Sequence, residues 1–280
     1  MSDGEEQAVL GELTSERFMD ESVPEVYMTL LDEGTYLCSQ RTMYRILERN
    51  ASTRDRRDQC HHPNYTKPEL LATAPNQVWS WDITKLRGAE KWTYHYLYVI
   101  IDIYSRYVVG WMVAPRESAA LAERLIEQSC ENQGIKGDQL TIHADRGTSM
   151  RSKLVAQLLA DLGITKSHSR PYTSNDNPYS EAHFKTLKYR HAFPKKFGCI
   201  EDATAFLRSF FSWYNTQHKH SGIGYVTPQD LHIGEAQAVR EKRCDVLQEA
   251  YQMHPERFVR GTPTPPEIPE AASINKPKEK

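Results

Sequence analysis

From Gln77 to Thr216 the chain alternates between short runs rich in β-branched and aromatic residues and longer stretches with helical spacing. Residues 77–84, 94–104 and 106–114 are dense in Val, Ile, Tyr and Trp, side chains that suit a half-buried pleated surface, and they predict three strands. The Ser105-Arg106 junction predicts a tight antiparallel connection between the second and third. Ala122, Leu125, Ile126 and Ser129 share one face at the helical period, which predicts a helix over 118–131. A short buried strand at 139–144 follows, then a helix over 149–162 carrying Leu154, Leu158 and Leu162. A last strand at 164–168 precedes helices at 178–191 and 201–216, the second burying Ala203, Phe206, Leu207, Phe210 and Tyr214.

Outside this block the periodicity weakens. Residues 1–20 are acidic with little amphipathic pattern and predict a disordered terminus. Residues 21–52 fit two short helices, one over Val26, Met28, Leu30 and Leu31 broken by Gly34, the next capped by Ser39. The second places Met43, Ile46 and Leu47 opposite Arg41, Arg45 and Arg49, as in the tail of a helix-turn-helix or in a packing hairpin. Residues 53–75 are polar and charged and read as a linker; a folded domain spans 76–235. Residues 236–280 read as a helix and a mobile tail, the latter carrying Pro255, Pro263, Pro265, Pro266, Pro269 and Pro277.

The charge total changes meaning once it is divided. The 280 residues carry a net −2, an odd value for a partner of nucleic acid. Residues 1–35, however, hold ten acids against Arg17 alone, a net −9, so the remainder carries +7. Between Lys166 and Lys196 seven Lys or Arg stand against only Asp176 and Glu181, a local field suited to phosphates. The five cysteines are odd in number and form no C-x-x-C, so they support neither a disulfide framework nor a zinc site. Cys60-His61-His62 is a weak metal candidate for want of a second ligand pair. With no apolar run of membrane length and no leader pattern, the chain reads as a cytoplasmic protein without membrane contact.

Three acids stand out against this background. Asp82 lies inside an apolar strand, in V-W-S-W-D-I-T, where a carboxylate costs several kcal/mol unless paired or bound to a metal. Asp145 ends the fourth strand in T-I-H-A-D-R-G-T. Glu181 lies on a helix with Asn177 at the cap position and Pro178 at the first turn, and shares one face with Lys185 and Lys188. Alone, Asp145 reads as a turn residue and Glu181 as part of a surface ion-pair stripe. Together, three carboxylates could hold two hard divalent cations about 3.5–4 Å apart, the arrangement that drives phosphoryl transfer on a DNA backbone.

Exactly thirty-five residues separate Asp145 from Glu181. This D…D-x35-E spacing resembles the catalytic core shared by retroviral integrases and bacterial insertion-sequence transposases, and the chain looks like the second-reading-frame type. The likeness is carried by W-S-W-D-I-T (79–84), Y-V-I-I-D-I-Y-S-R-Y-V-V-G-W (98–111), H-A-D-R-G (143–147), S-R-P-Y-T-S-N-D-N-P-Y-S-E (169–181), W-Y-N (213–215) and H-S-G-I-G-Y-V-T-P-Q-D (220–230). It implies an α/β, ribonuclease H-like fold, a mixed five-stranded sheet flanked by helices, behind a small helical N-terminal segment. It further implies a transposase that cleaves DNA and transfers strands, with Asp82, Asp145 and Glu181 as catalytic metal ligands for two Mg²⁺ ions, replaceable by Mn²⁺. Lys188 falls on the family's DNA-contacting base; Lys185, Arg170, Asn177 and Arg146 are further candidates, although Asn177 suits a helix cap better. Asp102 competes poorly for the first acidic position, and His143, Trp213, Tyr214 and Asn215 read as packing residues. Ala144 stands where relatives carry Ser, and the segment before Glu181 lacks their glycines. Implied partners are DNA, as element ends and target, a first-reading-frame protein or fusion that reads the ends, and further copies of the chain. A nuclease that cuts without joining, or a non-catalytic DNA-binding regulator from a decayed element, are the rival readings.

Overall fold

The computed structural model describes residues 2–18, 21–50, 68–145, 152–170, 176–259 and 261–276. The chain divides into two compact units, residues 1–64 and 65–280.

The first unit holds three helices, α1 (Asp3–Leu13), α2 (Val23–Asp32) and α3 (Gln40–Arg49). The expected disorder of residues 1–20 is corrected here. Ser2 and Glu5 form a reciprocal capping box, the Glu5 carboxylate accepting from Ser2 N–H at 2.6 Å. Val9, Leu13 and Phe18 then bury against Val26, Leu30, Met43, Ile46 and Leu47. Three well-spaced apolar residues suffice to hold an acidic segment when a hydrophobic surface is ready to receive them.

In the second unit a five-stranded sheet has the order β4-β3-β2-β5-β6. Strands β2 (Val78–Arg87), β3 (Tyr94–Asp102) and β4 (Val108–Ala114) form an antiparallel meander. Strands β5 (Thr141–Ala144) and β6 (Thr165–His168) run parallel to β2. Helices α4 (Ala119–Gln133) and α5 (Lys153–Asp161) cover one face over Trp79, Trp81, Tyr98, Ile100 and Ile142. Helices α6 (Pro178–Lys188) and α7 (Ile200–Thr216) cover the other over Leu86, Leu97 and Val99. Both faces of β3 are therefore buried, which explains its nearly unbroken apolar run. This mixed sheet, covered on both faces, is the ribonuclease H-like α/β arrangement.

Two sites of close contact shape the edges. The β3–β4 connection turns on Arg106, which takes a positive φ of 65° while its N–H bonds back to Asp102 O at 2.9 Å. On β4, a side chain at Gly110 would collide with Ser129 Oγ of α4, so glycine lets helix and sheet approach there.

After α7 come α8 (Pro228–His232) and α9 (Ala236–Met253). The expected mobility of the whole proline-rich tail is also corrected. Strand β7 (Ala272–Ile274) pairs antiparallel with β1 (Leu70–Ala72), itself inside the expected linker. Ala272 and Ile274 are buried with Val78 and Ile103, so a short apolar alternation between Pro269 and Pro277 docks the tail. Among the described residues no helix is long and apolar enough to cross a membrane.

Candidate active site

Strand β2 has two chemically different faces. Trp79 and Trp81 turn toward α4 and α5, so Ser80, Asp82 and Thr84 turn with Leu86 toward α6. Helix α6 lies along this polar stripe and is tied to it at both ends. Ser80 Oγ donates to Asn177 Oδ1 at 2.5 Å and shares a hydrogen bond with Ser180 Oγ at 2.6 Å. Eight residues beyond Ser180, Lys188 Nζ donates to Thr84 Oγ1 at 2.6 Å. Between these ties α6 brings Glu181 within electrostatic reach of Asp82.

The second aspartate comes from the neighbouring parallel strand. Ala144 pairs with Trp81, so Asp145 continues β5 beside Asp82 on β2. Its Oδ1 accepts from Ser169 Oγ at 2.6 Å, one strand further across. Asp82 Oδ1 accepts from Ile83 N–H at 2.7 Å. Burial raises the Asp82 pKa; the Ile83 N–H and Lys188 oppose this, Asp145 and Glu181 add to it, and the carboxyl settles at about 7. Burial likewise lowers the Lys188 pKa, against the pull of Asp82. Among the described residues no three His, Cys, Asp or Glu side chains close on a single metal position, so the three acids form an open cluster.

Behind the cluster lies a buried polar network. Asp176, fully withdrawn from solvent, accepts from Arg170 Nε at 3.0 Å, Arg170 Nη2 at 3.1 Å and Asn275 Nδ2 at 2.8 Å. Burial alone would raise its pKa, but Arg170 and Asn275 outweigh that and hold it at about 2. His143 bridges Ser167 Oγ at 3.0 Å and the Asp176 carbonyl at 2.8 Å, and burial lowers its pKa. It packs, and is not poised as a base.

The candidate DNA contacts divide. Lys185 is exposed on α6, and Lys188 lies at its end over Thr84. Arg170 is engaged with Asp176. Asn177 stands at the N-cap of α6 as expected, but its fully buried side chain makes no capping bond and instead joins α6 to β2 through Ser80 and the Trp81 carbonyl, which turns it away from a DNA contact. Arg146 and Cys60-His61-His62 lie outside the described residues. Asp102 is buried at the β3 end, accepting from Asn76 N–H, Ser105 N–H and Ser105 Oγ at 2.7–2.8 Å, away from the acidic cluster's stripe. Tyr214 is buried, and Asn215 grips the β4 edge through both Val108 backbone groups at 2.9 and 3.1 Å. Ser80, Ser169, Ser180 and Asp176 were not singled out from sequence. For Ser80 the signal is present: serine, aspartate and threonine alternate with Trp and Ile along β2, marking one face as polar.

Two family models, each described as an integrase core domain, match residues 72–174 and 162–228. The chain is 31% identical over 199 residues to the transposase for insertion sequence element IS904 of Lactococcus lactis, covering 71% of this chain and 75% of that protein. It is 30% identical over 169 residues to the transposase InsF for insertion sequence IS3A of Escherichia coli K12, covering 60% of this chain and 58% of that protein. Among solved structures it is similar to the HTLV-2 integrase catalytic core in complex with magnesium, with 17% identity, a TM-score of 0.41, and coverage of 57% of this chain and 97% of that one. The chain thus belongs to the insertion-sequence transposases with an integrase core, enzymes of transposition and DNA integration.

Proposed function

We propose that Asp82, Asp145 and Glu181 are the catalytic centre of this transposase and hold two divalent ions, Mg²⁺ by preference. The observation that carries the reading is the polar stripe of β2 facing a helix clamped at both ends, with a third carboxylate on the adjacent strand. The donor set fits the metal. It is made of carboxylate oxygens, which suit hard cations, and the Asp82 charge that burial first and the two neighbouring carboxylates second make costly, lifting its pKa to about 7, is offset by positive charge. When bound, the ions activate an oxygen nucleophile and stabilise the leaving oxygen, and Mn²⁺ supports the same chemistry.

The reaction has two displacements at one site. In the first, a water oxygen bonds to phosphorus at the element's end and the P–O3′ bond breaks, leaving a 3′-hydroxyl and a 5′-phosphate. In the second, that 3′-hydroxyl loses its proton and bonds to another phosphorus, releasing a new 3′-hydroxyl. No covalent enzyme intermediate is required. Ser169 fixes the Asp145 carboxylate, while Ser80 and Thr84 fix the helix that carries Glu181. Lys185 and Lys188, one and two turns beyond Glu181, meet the DNA backbone. Two ends must be joined to a target, so the working assembly contains at least two copies, and a first-frame protein supplies end recognition.

The test is cleavage and strand transfer on a labelled terminal-repeat DNA with Mg²⁺ or Mn²⁺ and the first-frame protein present. Wild type is expected to give cut and joined products, and Glu181→Gln neither, while still binding DNA. Cut products without joining would favour a simple nuclease. Full activity in Glu181→Gln would remove the assignment.

A further inference from the structure

A cavity of about 290 Å³ opens beside the first turn of α6. Its walls include Arg106 from the β3–β4 turn, Pro178, Ala182 and His183 from α6, Tyr214 from α7, and His220. Among the described residues no acidic side chain lines it.

The polar groups here are short of partners. Arg106 Nη1 is buried with no hydrogen-bond partner among the described residues, and no carboxylate there makes an ion pair with this guanidinium. Asp102, whose charge it feels, already accepts three hydrogen bonds from Asn76 and Ser105. The guanidinium is held in place by the Tyr179 ring, 4.2 Å from its centroid. His183 is 2% exposed and neither ring nitrogen has a partner among the described residues, since Phe211 stacks on it and Tyr214 meets it edge-on. His220 Nδ1 accepts from Gly222 N–H at 3.0 Å, which leaves its ring proton on Nε2 as a donor. A buried cation without a counter-ion is costly, and so is a buried donor without an acceptor. The open groups of Arg106 and His183 are met by one ligand, a compact anion with several acceptor oxygens, to which the His220 Nε2 proton can also be donated. The backbone N–H groups of the first turn of an eleven-residue helix add to the same preference.

We propose that this cavity is a phosphoryl-binding site that takes one backbone phosphate of the DNA strand, with Arg106 as the principal contact. The proposal rests on the reading that DNA lies across α6, since Ala182 at the cavity mouth adjoins Glu181. It gives the enzyme a point of registration on the backbone outside the reacting phosphate. Guanidinium suits this role because its fork can meet two phosphate oxygens at once.

The experiment uses the full chain in two arms. In the first, inorganic phosphate is compared with chloride at matched ionic strength by thermal melting. Phosphate is expected to raise Tm in wild type and Glu181→Gln, and not in Arg106→Gln or Ala182→Glu, where the new carboxylate can neutralise Arg106. In the second, DNA affinity is measured against salt. Losing one phosphate contact should reduce the slope of log K against log salt by about 0.9 in Arg106→Gln. Ala182→Glu should weaken binding in wild type but add little in the Arg106→Gln background, whereas general repulsion would act equally in both. Ala182→Gln should behave as wild type. A phosphate-induced shift that survives in Arg106→Gln, or an unchanged salt slope, overturns the proposal. Loss of the phosphate shift with an unchanged slope assigns the site to a free anion and overturns the DNA assignment. Glu181→Gln keeps both signals whether or not Glu181 is catalytic, so this outcome is separate from the fate of the triad.

Discussion

Asp82 stands where water has largely withdrawn and two further carboxylates face it, so its charge weakens the metal-free fold. Its pKa rises from 3.8 to about 7 on folding, with burial the largest cause. Between about pH 4 and pH 7 the folded state therefore holds more protons than the unfolded chain, and stability falls as pH rises through that window. Above it the cost is fully present and is of the order of a few kcal/mol. Asp82→Asn is expected to be more stable than wild type at pH 8 in EDTA, with the two converging toward pH 4. Urea midpoints across that range measure the difference, and parallel profiles for the two proteins would contradict it. Mg²⁺ should narrow the gap by stabilising wild type alone. Residues of this kind are legible in sequence because a charge inside an apolar strand is anomalous. Asp176 is not: it sits in a polar segment, and its burial follows only from Arg170 and Asn275 meeting around it.

At the scale of elements, the strands and helices of the sheet stand where the apolar periodicity puts them, because every one of them buries a face; on α5, however, that face is Val155 and Leu159, and Leu154 of the expected leucine row is exposed. The expected and observed bounds differ mainly at helix ends, as where α6 stops at Lys188 and Tyr189 takes the cap. Contacts between segments distant in sequence are what periodicity leaves out. The pairing of β1 with β7 joins residues about two hundred positions apart, and neither strand exceeds three residues. The tail nonetheless bears on the site. Tyr179 of α6 donates its hydroxyl to Ser273 O at 2.9 Å, and Asn275 donates to Asp176, just before that helix. Asn275→Ala removes a hydrogen bond to a buried carboxylate and is expected to cost about 1–3 kcal/mol. It should also lower strand-transfer turnover without changing DNA affinity, since it loosens the support of Glu181 and touches no DNA contact. Urea denaturation with parallel turnover and binding assays would measure both. A cost within about 0.5 kcal/mol, the range of ordinary surface substitutions, would mean the tail merely rests there.

At the scale of the whole molecule, charge is divided between the two units. Residues 1–64 hold thirteen acids and seven bases, a net −6, so within a total of −2 residues 65–280 carry +4. Inside the first unit the division is repeated: Arg49 of α3 pairs with Glu6 of the acidic α1 at 3.4 Å. A helix-turn-helix that reads DNA needs its bases free for phosphates, whereas a packing module does not. The two readings of residues 21–52 therefore predict opposite effects of removing the first unit. The structure gives residues 65–280 their own closed cores, with both faces of the sheet covered from within, so this fragment is expected to fold alone. If the first unit only packs, the fragment should bind nonspecific DNA several-fold more tightly than the full chain at low salt, because a repelling charge of −6 is gone. That advantage should fade as the Debye length shrinks toward about 8 Å at physiological ionic strength. Should the full chain bind more tightly instead, with a steeper salt dependence, the bases of α3 reach the backbone despite Glu6. Anisotropy titrations of both proteins from low to physiological salt decide between them, and the sign of the difference is enough.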